Sequence, residues 1–326
     1  MVYSFSIHAK LYYDKTNRGE TMLRFEEYKG LDCIVIENNY ISASILPELG
    51  GKICSLVYKE KNFEFASKTT HPFIQPDINT PFDKADASGI DDTFPNILAE
   101  EVNFNNTTIH YTDHGEIWRS KMEVEIKDYT VHLTYKNKEK NYLFRKSIKL
   151  DEKKLKFDYE IKNLSNEVLP CIYTMHGLVR YEEDMQLIYP KGTYNILNVC
   201  DSNELGKDLT IHPFNNDLYD FTKLPKKSDN TYIKYYLNGT LDEGVCGYVY
   251  PSQQVKCLLT FDKDKLPYLG LWATIGKFRN DYNLAFEPST GFYDGITIAM
   301  KNNKCPLLTK EPIQFNLAYE FFPYSK

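Results

Sequence analysis

No stretch of this 326-residue sequence approaches the run of about 20 apolar residues that crosses a bilayer. No CxxC pair occurs among its seven cysteines, which are odd in number and widely spaced. That argues against a disulfide framework and against a structural zinc site, and leaves the thiols as small hydrophobes. There is no basic block either: 39 lysines and arginines face 45 acids, for a net charge of −6. Nucleic acid binding depends on cations set against phosphates, so no nucleic-acid partner is expected. Met1 to Lys10 include His8 and Lys10, and polar residues follow where a signal peptide needs its cleavage region, so a cytoplasmic location is expected. The Asn-x-Ser/Thr triplets at Asn105, Asn106, Asn163 and Asn238 then read as chance matches.

Amphipathic helical spacing is scarce as well, and a period of two takes its place. In 154–161, Leu155, Phe157, Tyr159 and Ile161 alternate with Lys156, Asp158 and Glu160. The segments 121–126 and 313–319 alternate in the same way. Successive side chains of a strand point to opposite faces, so each segment has one buried and one wet face. Further strands are expected at 31–37, 40–46, 52–58, 131–136, 142–149, 168–175, 184–189, 245–250, 255–262, 268–275, 282–287 and 294–300. Many short strands without alternating helices imply an all-β protein, a large antiparallel β-sandwich. No linker or composition shift divides the chain, so 1–326 is read as a single domain. Two irregular stretches, 67–96 and 195–230, are the long excursions in which binding residues are often carried.

Histidine suits proton transfer near neutral pH. Of the seven, His8, His71, His132 and His212 have bland surroundings. His110 and His114, with Glu116 following, faintly suggest a metal-binding barrel, but the rest of such a motif is missing and no metal is expected. Three short polar contexts stand out. Asp113-His114-Gly115 leads through Trp118 and Arg119 into a strand. His176 closes the apolar run that ends Tyr173-Thr174-Met175. Glu287 ends another strand just before Pro288, which stops pairing. Strand ends fix a side chain while leaving it at the mouth of a sheet. Two histidines and a carboxylate so placed make either a proton relay without nucleophile or metal, or turn residues satisfied by nearby backbone.

In their order and spacing these segments resemble the aldose 1-epimerase (galactose mutarotase) family. Asp113-His114-Gly115 with Arg119 is similar to the first histidine motif, nearest its form in the hexose-6-phosphate branch. Met175-His176 resembles the second, and Leu284-Ala285-Phe286-Glu287-Pro288 resembles the Glu-Pro motif of the catalytic base. Upstream, Gly89-Ile90-Asp91-Asp92-Thr93-Phe94-Pro95-Asn96 resembles the Phe-Pro segment of the same branch, and Pro47-Glu48-Leu49-Gly50-Gly51 the family's opening turn. The resemblance spans about 23–320. It implies a mutarotase-type β-sandwich with a sugar cleft across one sheet. Glu287 would take the proton of the anomeric hydroxyl, His176 would protonate the ring oxygen, and His114 would hydrogen-bond that oxygen's surroundings. No cofactor is implied.

The galactose branch carries an Asn-Arg pair ahead of the first histidine. Asp91 and Asp92 occupy that region here and, with Phe94, are expected to bind substrate. For that branch's aspartate between the second histidine and the glutamate, Asp217 and Asp242 are candidates. Trp272 either stacks on a sugar face or belongs to the core. Lys277, Arg279 and Arg119 either meet a phosphate or acid sugar or are solvated or structural. The expected partner is thus a monosaccharide or sugar phosphate, with no membrane and with a monomer or homodimer as the assembly. Two further readings stay open: another sugar epimerase or isomerase on the same scaffold, and a non-catalytic carbohydrate-binding protein.

Overall fold

A computed structural model of the chain describes residues 12–13, 21–217 and 219–325; the readings made on His8 and the other leading residues lie outside them. The alternating segments form two large sheets. One has 14 strands and the other eight, and every ladder in both is antiparallel. In Lys154–Asn163 the four apolar residues of the alternation are all buried. The strand pairs on one side with Tyr142–Asp151 and on the other with Ile313–Pro323. Turns between strands place asparagine where φ is positive. Asn105 and Asn106, at 49° and 62°, close the hairpin between Glu100–Phe104 and Thr107–Tyr111.

The inner faces of the sheets share one hydrophobic core. Phe65 of the larger sheet's side packs edge-on to Tyr319 and Phe321 of the smaller sheet. Within the larger sheet, five adjacent strands matter most for function: Ile90–Thr93, Thr174–Gly177, Tyr282–Ser289, Tyr268–Ile275 and Thr231–Leu237. All seven cysteines are free thiols, five of them buried.

Two expected strands differ. Residues 294–300 alternate in hydrophobicity but form the helix Ile296–Lys301, which buries Ile296 and Ala299, one turn apart. The Glu100 carboxylate accepts the free N–H groups of Ile296 and Thr297 at its start, and so favours the helical turn over a strand. The span 168–175 is split into Leu169–Pro170, paired with Leu307–Leu308, and Thr174–Gly177.

Candidate active site

Strand register puts the site on one face. Asp91 lies opposite His176, Thr174 opposite Ser289, Gly270 opposite Glu287, Trp272 opposite Ala285, and Lys234 opposite Trp272. With a period of two, Asp91, His176, Glu287, Trp272 and Lys234 therefore all project from the outer face of the larger sheet. Over the last four closes a cavity of about 270 Å³, whose walls also include Phe82, Asp113, His114, Phe278, Asn283 and Asp294.

Both histidines are oriented by an aspartate. His176 Nδ1 lies 3.0 Å from Asp91 Oδ1, and His114 Nδ1 lies 2.8 Å from Asp113 Oδ1. Burial opposes the Asp91 charge, but the Lys52 ammonium, 3.2 Å away, and His176 outweigh it and hold the carboxyl below its ordinary value. Burial is likewise outweighed at Asp113 by the bond to His114. Ionised carboxylates accept, so Nδ1–H donates in each pair and Nε2 is left for a ligand. His176 Nε2 stands 4.0 Å from Glu287 Oε1. The Phe82 ring stacks on His114 at 4.2 Å and meets His176 edge-on at 4.9 Å, fixing both ring planes.

Glu287 is almost fully buried, yet neither of its carboxylate oxygens accepts a hydrogen bond. Among the described residues the ammonium beside it is that of Lys234, 3.3 Å from Oε2 without hydrogen-bond alignment. Lys234 also lies 3.0 Å from Asp294, whose other oxygen accepts from Tyr236 at 2.8 Å. Asn283 presents a second buried acceptor without a donor. Unpartnered buried acceptors in a cavity call for donors, and sugar hydroxyls are donors.

His114 sits in a tight turn. Its backbone is left-handed, with φ 56°, and its N–H donates to Ile97 O at 2.7 Å. Gly115 follows with φ +68°; a Cβ there would stand 2.1 Å from Phe94 O. Only glycine permits both the conformation and the approach.

Of the residues singled out from sequence, His114, His176, Glu287 and Trp272 reach the cavity, and Asp91 stands behind His176. Trp272 is half-buried, stacked on Tyr232 at 5.8 Å and edge-on to Phe278 at 5.5 Å. The others do not line it. Asp92, the next residue on its strand after Asp91, points the opposite way into the core. There it meets Lys146 at 2.8 Å and the hydroxyls of Tyr159 and Tyr173. Phe94 packs in the same core against Tyr142. Arg119 binds Thr112 and the carbonyl of Thr80 and lies over Trp118. Arg279 donates to the Ala85 carbonyl at 2.9 Å, while Lys277 sits over the Tyr232 ring. Asp217 and Asp242 do not line the cavity either. The His110–His114–Glu116 pattern does not converge: His110 pairs with Glu101, and Glu116 with Lys140 and buried Tyr142. Lys234 and Asp294 escaped the sequence reading. The available signal was the alternation of Thr231, Ile233 and Tyr235 with Tyr232 and Lys234.

No family model matches the sequence, and no curated protein does. Solved structures do. A galactose mutarotase-like protein from Clostridium acetobutylicum aligns over 92% of this chain and 98% of its own, at TM-score 0.73 and 15% identity. Another galactose mutarotase-like protein, from Lactobacillus casei, aligns over 89% and 100%, at 0.64 and 18%. A galactose mutarotase related enzyme from Lactobacillus acidophilus aligns over 90% and 98%, at 0.64 and 17%. The chain has the galactose mutarotase-like fold. Among the described residues, no helix is long and apolar enough to cross a membrane.

Proposed function

We propose that the protein is an aldose 1-epimerase, interconverting the α and β anomers of a free aldose. The observation that carries this reading is the pairing of His176 Nε2 with Glu287 across 4.0 Å on one cavity wall, with both Glu287 oxygens lacking a donor. Ring opening needs a base at the anomeric hydroxyl and an acid at the ring oxygen at once. Glu287 takes the O1 proton, and the electrons of that O–H bond form the C1 carbonyl. The C1–O5 bond breaks, and O5 takes the proton carried on His176 Nε2. A donor at Nε2 requires the imidazolium, whose other N–H points at the ionised Asp91. Rotation about C1–C2 presents the other carbonyl face, and the same two transfers run backwards to close the ring. His114, with Nε2 free, faces the same space from the opposite loop.

Charge favours an unphosphorylated sugar. Four carboxylates line the cavity (Asp83, Asp113, Glu287 and Asp294) against the ammonium of Lys234 and the imidazolium of His176, while Arg119, Lys277 and Arg279 do not line it and are engaged elsewhere. A phosphate brought there would meet like charge in a partly desolvated space.

NMR saturation transfer between anomeric protons, on glucose, galactose, xylose and glucose 6-phosphate, tests the reading. Exchange above the uncatalysed blank is expected for a neutral aldose and weaker for the phosphate. A loss of about 10² to 10⁴-fold is expected in Glu287→Gln and in His176→Asn. Blank-level exchange on all four sugars, or exchange untouched by both substitutions, overturns it. Sugar-dependent Trp272 fluorescence without exchange would mark a binding protein instead.

A further inference from the structure

The ammonium on the cavity wall, that of Lys234, has no task in the two proton transfers. It lies 3.3 Å from Glu287 Oε2 and 3.0 Å from Asp294 Oδ2, and Tyr236 holds the other Asp294 oxygen. Space for this arrangement comes from Gly270, between Glu287 and Tyr236 in the sheet, where even a Cβ would approach Glu287 Oε2 to 3.1 Å. Burial opposes the lysine's charge, but Asp294 and Glu287 outweigh it and hold its pKa above the ordinary value. The amine therefore stays protonated and is no nucleophile toward the open-chain aldehyde. The two oxygens of Glu287 consequently differ. Oε2 faces a fixed cation, and Oε1 faces His176.

We propose that Lys234, anchored by Asp294, is a positioning residue for the Glu287 carboxylate, turning Oε1 toward His176 and the substrate and giving Oε2 a fixed counter-charge. This rests on the aldose 1-epimerase reading for its catalytic meaning, though not for its test. The charged and titratable groups around Glu287 are His176 on the adjacent strand, Lys234 and Tyr236 on the strand beyond Tyr268–Ile275, Asp294 beyond Lys234, the Lys52–Asp91 pair behind His176, and Asp113, His114 and Asp83 on the facing loops. Lys234 is the one cation among them within reach of Glu287 Oε2.

The test follows the Glu287 carboxyl carbon by ¹³C NMR in protein labelled at the glutamate side-chain carboxyl, with Glu287→Gln identifying the resonance. In Lys234→Met its titration midpoint is expected to rise by about 1–3 pH units, the usual effect of a close opposite charge. Lys234→Gln, which keeps an N–H for Asp294 but no charge, should shift it in the same sense, while Lys234→Arg should leave it within about 0.5 unit of wild type. Circular dichroism establishes which variants fold. In anomer exchange, the acid limb of the kcat profile should move to higher pH with the resonance, with KM little changed. A midpoint unmoved in folded Lys234→Met or Lys234→Gln overturns the proposal. An absence of exchange in the wild type overturns the enzymatic reading alone, since the resonance reports on Lys234 without turnover.

Discussion

Replacing Lys146 by methionine isolates a charge that the fold has walled in. Lys146 and Asp92 both have fully buried side chains, 2.8 Å apart between the sheets. The Tyr159 and Tyr173 hydroxyls both donate to Asp92 Oδ1, at 2.9 and 2.7 Å, leaving Oδ2 to the ammonium alone. Burial and the neighbouring Asp92 charge push both phenols well above their ordinary values, so they remain donors. In Lys146→Met, Oδ2 keeps neither a donor nor a counter-charge. Breaking a buried pair on one side typically costs about 3–5 kcal/mol. Asp92→Asn leaves the ammonium without a counter-charge, with the Gly51 carbonyl at 3.2 Å and the Phe157 and Tyr159 rings around it, and falls in the same range. The double variant removes both charges and keeps an amide oxygen for the tyrosines, so it should lie within about 2 kcal/mol of wild type. Urea unfolding followed by circular dichroism, with equal m-values across the four proteins, gives the cycle and an expected coupling of at least about 4 kcal/mol. Either single change costing under about 1 kcal/mol, or a double variant as unstable as the sum, refutes the reasoning. Since Asp92 faces away from the cavity, the folded double variant should retain anomer exchange.

Gly115→Ala combines a left-handed backbone with a Cβ set against the Phe94 carbonyl, so a destabilisation of at least about 2 kcal/mol is expected by thermal unfolding. A cost below about 0.5 kcal/mol would show that the turn relaxes freely. Asp91 has a depressed folded value, so its contribution to stability is present above the unfolded carboxyl value of about 3.9 and is lost as pH falls through the folded one. Asp91→Asn should therefore show a flatter decline of the urea midpoint below about pH 4 than wild type. Parallel declines in the two proteins would sink that account.

Much of the fold was legible because burial on one face writes a period of two into the sequence. The edges of Leu31–Glu37, Lys52–Tyr58, Val245–Tyr250 and Tyr268–Ile275 coincide with the expected strands. The same period misled at 294–300, where alternation arises in a helix too short to display its own repeat. His114, His176, Glu287 and Trp272 could be singled out from local context. Asp91 and Asp92 could not be told apart, because neighbours on a strand point oppositely and only the packed sheets decide which side is core. Arginine and lysine near the site stayed open between phosphate ligands and solvated or structural residues, because sequence reveals a cation but not what it touches.

What those cations touch has a consequence for how the site can change. Arg119, Arg279 and Lys52 hold the main-chain carbonyls of Thr80, Ala85 and Asp86, the segment that brings Phe82 and Asp83 over the cavity. A carbonyl is the same whichever residue carries it. The path of this wall is thus tied down independently of the side chains it displays, so substitutions along it can retailor the opening to a different ligand while the wall itself stays in place.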